Sequence, residues 1–277
     1  VNVSDSRIAP ALDALLRNDA EALQVAIDAD GEIASVRWND NTLLEWCTQP
    51  PHGIAPEVIG VLVSAGAELD RALNLAGCWN LPEMCAHLLA AGADPTARAD
   101  ADITPLESAA MHGSVEASDV LLASGLHRPG LWLAAAAGQV DELRSWIDAG
   151  GGLTRPVGNY RPNLADVGRP AGRPPTDDPS EILGEALVFA AANDRSEAVD
   201  LLLDVGVDID ARPYRNTTGL HLAVQFHRPT MVEHLLDRGA SPKIADDEHD
   251  STAIGWAVAC DDGTPAAARA RELLLAK

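Results

Sequence analysis

The sequence predicts an all-α solenoid, about eight helix-turn-helix pairs stacked side by side. Three observations predict it. An apolar pair followed by glycine recurs along the chain: Leu62 and Val63 before Gly66, Leu88 and Leu89 before Gly92, Leu121 and Leu122 before Gly125, Trp146 and Ile147 before Gly150, Leu202 and Leu203 before Gly206, Leu235 and Leu236 before Gly239. The steps from 92 to 125 and from 206 to 239 are both 33 residues, the length of two short helices plus a β-turn. Paired alanines (Ala109 with Ala110, Ala134 with Ala135, Ala190 with Ala191) precede those glycines at a steady offset. Their small side chains let neighbouring helices approach closely.

In chain order, inner helices are predicted to start near Ala9, Thr42, Arg71, Thr104, Pro129, Glu185, Thr218 and Thr252. Threonine there is a good N-cap, and proline in the first turn lacks only an N–H that would be unpaired anyway. The glycine beyond each outer helix suits a backbone needing φ > 0. Residues 1–277 read as one solenoid, with atypical pairs at 1–38, where Asp30 replaces the glycine, and at 252–277, which carries Arg269, Arg271 and Lys277. Both read as caps over the open ends of the core.

The run Thr104, Pro105, Leu106, Glu107, Ser108, Ala109, Ala110, Met111, His112, Gly113 resembles the ankyrin-repeat signature of Thr-Pro-Leu-His followed by paired alanines. Thr218 to Ala223 is a second copy and Thr252 to Ala257 a worn third; Gly92-Ala93-Asp94-Pro95 and Gly239-Ala240-Ser241-Pro242 match the family's turn into its β-hairpin. The chain is thereby similar to bacterial-type ankyrin-repeat proteins with divergent repeats. The resemblance implies a concave face made by hairpins and inner helices, with variable contact positions at the hairpin tips and at the two residues after the paired alanines. Carried onto this sequence, the helix positions are Cys78 and Trp79, Met111 and His112, Ala136 and Ala137, Ala192 and Asn193, and Gln225 and Phe226. The tips are Trp38 with Asn39, Asp100 with Ala101, and Tyr214 with Arg215. Trp132 stands where the family has its signature histidine, suited to plug a void or floor a pocket. His221 is the signature histidine itself, which implies a structural tie to the turn.

The repeat breaks in three places. Steps of 26 residues from Gly66 to Gly92 and 25 from Gly125 to Gly150 leave no room for a hairpin after Gly66 and Gly125. The 56-residue step from Gly150 to Gly206 predicts one long loop over 151–181. Arg155, Arg161, Arg169 and Arg173 make that loop a basic island, and Pro156, Pro162, Pro170, Pro174, Pro175 and Pro179 argue against regular structure in it. It reads either as an insertion tethered to the acidic flank or as a flap over the groove, with Tyr160 and Arg161 able to stack on and hydrogen-bond a ligand.

Composition narrows the partners. Forty-two acidic against 20 basic side chains give a formal charge of −22, which repels phosphate backbones and anionic headgroups, so neither nucleic acid nor a membrane surface is expected. No apolar run of membrane-spanning length is present in the sequence, and no export signal is expected. Cys47, Cys78, Cys85 and Cys260 have no zinc-ligand spacing and read as free thiols of a cytoplasmic protein. No metal or cofactor is expected, and the acidic run Asp246, Asp247, Glu248, His249, Asp250 reads as a solvated tip.

Two functions follow. The first is a binding module whose concave groove holds a protein or peptide, with Trp79, Met111, His112, Trp132, Asn193, Tyr214, Arg215, Gln225 and Phe226 as contacts. The second is a site for a small organic or anionic ligand closed by the 151–181 loop with Arg155, Tyr160 and Arg161. In its enzymatic form, His112, Glu107 and Tyr160 are the acid-base candidates, since a carboxylate near an imidazole can move a proton. A fold shared with a family does not choose between them.

Overall fold

A computed structural model describes residues 7–38, 40–49, 55–99, 102–125, 129–158, 176–213, 217–247 and 249–277. Helices dominate, and among the described residues the β-structure is limited to isolated bridges. Contacts divide the chain into two compact units, Val1–Ala109 with Glu116–His127 and Ala110–Val115 with Arg128–Lys277.

The first unit contains α1 (Ala9–Leu16), α2 (Ala20–Ala29), α3 (Leu43–Trp46), α4 (Pro56–Ser64), α5 (Asp70–Cys78), α6 (Pro82–Ala90) and most of α7 (Pro105–Met111) and α8 (Val115–Ala123). The second contains α9 (Leu131–Ala136), α10 (Val140–Ser145), α11 (Pro179–Ala192), α12 (Ser196–Asp204), α13 (Gly219–Gln225), α14 (Pro229–Asp237), α15 (Ala253–Ala259) and α16 (Pro265–Leu275). These are the eight predicted pairs, counted among the described residues. Odd-numbered helices are the inner members: α9, α11, α13 and α15 pack in series, while α10 packs on α12 and α14 on α16.

Local chemistry sets the starts. Thr42 accepts from the N–H of Glu45, whose carboxylate accepts from the N–H of Thr42, so two of the otherwise unpaired N–H groups of α3 are satisfied reciprocally. Thr104 with Glu107 and Thr218 with His221 repeat the device, and Thr252 caps Gly255. At the ends of the outer helices, Gly66, Gly92, Gly125, Gly206 and Gly239 all take positive φ. The fifth pair departs from the predicted register. There α10 stops at Ser145, Trp146 and Ile147 follow it, and the left-handed residue is Gly151 (φ 80°) rather than Gly150. A Cβ on Gly151 would lie 2.4 Å from the Val205 carbonyl oxygen, so the position excludes a side chain twice over.

The long insertion is shorter than predicted. Its first part is pinned: Leu153 bridges Ile147, Asp148 accepts from the N–H groups of Gly150 and Gly152, and Val157 is buried in the core. Its last part is helix, because α11 begins six residues before the predicted Glu185. Pro179 sits at the first helical position, where it needs no hydrogen bond, and Asp178 accepts from the N–H of Ser180. Proline there opens a helix instead of forbidding one. Residues 159–175 lie outside the described residues.

Candidate functional site

The positions after the paired alanines do not form an open palm in the second unit. Met111 is 2% exposed, Asn193 0% and Ala137 5%, and Ala136 and Ala192 are fully buried. The contact role predicted for Met111 and Asn193 is replaced by packing. The Asn193 amide donates to the carbonyls of Ala110 (2.8 Å) and Phe189 (2.9 Å). The Arg228 guanidinium donates to the carbonyl of Gly113. Phe226 lies against Gly113, where a Cβ would fall 2.7 Å from the ring. Small residues at these turns let the inner helix ends close on one another, and that closure buries the surface on which the resemblance places contacts. Gln225 and His112 stay half-buried.

Trp132, predicted either to plug a void or to floor a pocket, is 4% exposed and packs at a tilt against Phe189 with ring centroids 5.1 Å apart. It plugs the core. Trp38, predicted at an exposed tip, is also buried and stacks on Trp46 at 4.9 Å. Arg155 lies over the Trp146 ring at 3.7 Å and pairs with Glu142 at 3.2 Å, so its guanidinium ties the insertion to α10. Glu107 caps α7 through Thr104 and pairs with Arg98 at 3.4 Å, a structural use of the carboxylate offered as an acid-base group. Tyr160, Arg161, Tyr214 and Arg215 lie outside the described residues, as do Asn39, Asp100 and Ala101.

Trp79, in the first unit, keeps its predicted exposure at 48%. It follows α5, and Asn80 beside it takes φ 53° while its side chain accepts from the N–H of Ala117. The indole is thus held out on a turn whose neighbour is anchored. In the first pair, predicted as a cap, Val25 is 64% exposed beside an apolar groove of about 660 Å³.

On the loop side of the second unit the described residues line two grooves. One groove of about 840 Å³ runs between Gly150 and Gly151, the start of α11 and the segment from Val205 to Pro213. A second groove of about 840 Å³ runs between Asp208, Asp210 and Arg212 on one loop and Ile244 to Asp250 on the next, so Asp208 and Arg212 line both. The sequence reading missed these loop residues except for the run at 246–250. Their signal was the density of aspartates just after Gly206 and Gly239, which periodicity alone does not weigh.

The predicted solvated tip is only partly solvated. Asp247 and Asp250 are exposed, but Asp246 is 1% exposed and accepts from the N–H of His249 (2.7 Å), the N–H of Ser251 (3.3 Å) and the Trp256 indole (2.8 Å). It is a structural carboxylate whose charge is met by donors. Beside it, His221 Nδ1 accepts from the N–H of Thr218, which leaves Nε2 to donate to the carbonyl of Ser251 at 3.2 Å. Burial holds the His221 imidazole below its ordinary range. Burial, with the like charge of Asp208 nearby, pushes the Asp210 carboxyl up, opposed by the N–H of Ser241 that it accepts. Asp208, Asp210 and Asp250 have no ion pair among the described residues, and Arg212 reaches Asp247 only at 3.7 Å.

Among the described residues, no group of His, Cys, Asp and Glu is arranged to hold a metal ion, and no helix is long and apolar enough to cross a membrane. The four cysteines are free thiols, and burial pushes Cys47 and Cys85 up to about 12. Neither of these two is an ionised nucleophile near neutral pH.

Residues 131–246 match the family model described as ankyrin repeats, in three copies. The chain is 26% identical over 238 residues to the E3 ubiquitin-protein ligase KEG of Arabidopsis thaliana, covering 71% of this chain and 15% of that protein. It is 37% identical over 68 residues to an L-asparaginase of Dirofilaria immitis, covering 24% of this chain and 12% of that protein. The chain therefore spans only a small part of the length of both relatives. Among solved structures, the human ASB11 ankyrin repeat domain aligns over 96% of each chain, with a TM-score of 0.46 and 18% identity.

Proposed function

We propose, from the premise that residues 131–246 are ankyrin repeats, that the chain is a docking module for a protein or peptide segment, held on the loop face of its second unit. The observation that carries this reading is the contrast between two faces of that unit. The inner helix ends are closed by Asn193, Phe226 and Arg228, whereas the grooves beside the loops at 205–213 and 244–250 are open among the described residues. A segment of chain needs an elongated open surface; a small-molecule site needs an enclosed one. The match of residues 131–246 to ankyrin repeats is compatible with a binding role, and what the ligase does as a whole protein is not carried over.

The test is a peptide-library selection against the full chain, followed by binding measurements on variants of each face. Ile244→Glu is expected to abolish binding of the selected peptides, and Val25→Glu on α2 to leave it unchanged. Peptides insensitive to Ile244→Glu, or an absence of binders, would remove the loop face as the docking surface.

A further inference from the structure

We propose that the groove between the loops at Asp208–Arg212 and Ile244–Asp250 takes an extended segment of a partner protein rich in lysine and arginine, a reading that rests on the docking function above. The groove has both parts such a segment needs. Its mouth carries Asp208, Asp210, Asp247 and Asp250 against one cation, Arg212. Three of these carboxylates have no ion pair among the described residues, and the Arg212 contact to Asp247 is long, with both side chains well exposed. Other carboxylates of the second unit do carry ion pairs: Asp200 and Asp204 with Arg238, Asp237 with Lys277, Asp261 with Arg271. Arg238, Arg271 and Lys277 are thus engaged outside this groove, where Arg212 is the one lining cation among the described residues, leaving a local excess of negative charge in a concave setting, which focuses the field on an incoming cation.

The walls supply the second part. Ile244 is half-buried in this groove, and Val205 and Val207 are half-buried in the adjoining one, which shares Asp208 and Arg212 with it. Lysine and arginine lay their methylene stems along such surface while the charged head stays at the rim. Arginine also meets a carboxylate with two parallel N–H groups, which fixes direction as well as charge. Burial, and to a lesser extent the like charge of Asp208, raises the Asp210 carboxyl, and a nearby guanidinium or ammonium group would oppose both. Nucleic acid and anionic lipid are repelled by the same field.

The test uses the full chain and a fluorescent twelve-residue peptide alternating arginine and alanine, with a glutamine-alanine peptide of the same length as control, read by anisotropy. The arginine peptide is expected to bind, and to weaken roughly tenfold or more between low and moderately high salt, as exposed charge pairs do. Asp208→Asn with Asp247→Asn keeps the side-chain acceptors and is expected to weaken binding several-fold. Asp208→Lys with Asp247→Lys is expected to weaken it roughly 10- to 100-fold. Asp28→Lys with Glu32→Lys on the first pair changes net charge equally and is expected to do far less.

Equal losses in both lysine pairs would mean that overall charge, not this groove, attracts the peptide, and would overturn the proposal. Glutamine-alanine binding as strong as arginine-alanine binding, still lost with Ile244→Glu, would overturn the cationic partner while leaving the docking function standing. Failure of every peptide to depend on Ile244 would overturn both. A concentration-dependent dimer abolished by the same aspartate changes would assign the groove to a second copy and overturn the partner reading.

Discussion

The Arg228 guanidinium donates to the carbonyl oxygen of Gly113, 115 residues earlier in the chain. With Asn193 bonded to Ala110 and Phe226 seated on Gly113, this contact closes the inner helix ends of the second unit over the positions where the family's partners would be expected to reach.

Gly113 is the tightest point of that closure. Gly113→Ala meets both a φ of 66° and a ring carbon at 2.7 Å, so it is expected to destabilise by roughly 2–4 kcal/mol, combining left-handed strain with overpacking. Gly66→Ala, with φ 81° and open space around the new methyl, is expected to cost only about 1–2 kcal/mol. Urea unfolding of both variants measures the difference, and equal losses would show that Phe226 yields freely.

Asn193 uses its amide hydrogens on two carbonyls while its own oxygen has no partner and no solvent. Asn193→Asp removes both donors and sets a carboxylate against two carbonyl oxygens. The expected loss at neutral pH is about 3 kcal/mol or more, and it should shrink as the solution is acidified, because protonation restores one donor. A melting temperature whose deficit is constant from pH 4 to 8 would exclude this account.

His221 makes stability depend on pH in a definite direction. Its folded imidazole lies below the unfolded value of 6.5, so the unfolded chain binds the proton more readily. The contribution of neutral His221 is present above pH 6.5 and is lost as pH falls from there through the depressed folded value. Asp210 acts oppositely: its raised carboxyl favours the folded chain at low pH, a contribution lost as pH rises through the folded value. Comparing the pH dependence of melting in the wild-type chain and in His221→Gln isolates the first effect. Parallel curves between pH 5 and 7 would mean that His221 does not titrate in that window.

The two exposed and buried indoles should behave as opposites. Trp132→Ala opens a cavity beside Phe189 and is expected to cost about 3–5 kcal/mol. Trp79→Ala removes a side chain that is 48% exposed and is expected to cost roughly 1 kcal/mol or less. If Trp79 is a contact for a partner, its loss weakens binding without moving the melting temperature. Chemical denaturation paired with peptide binding reads both quantities on the same samples.

Local sequence signals determined the eight pairs, the threonine caps and the left-handed glycines after the outer helices, the fifth pair excepted, because each depends on residues close together in sequence. The start of α11 was nearly legible too: Asp178-Pro179 is a helix-opening pair, and only the surrounding prolines disguised it. Tertiary structure decided which faces remain open. Whether Asn193 meets water or the Ala110 carbonyl depends on how far the inner helix ends close, and that depends on Gly113 admitting Phe226 across a separation of more than 100 residues. It also decided that Asp246 turns inward to Trp256 while Asp247 and Asp250 face the groove, since neighbouring side chains on a turn diverge according to which donors the packed core presents to them.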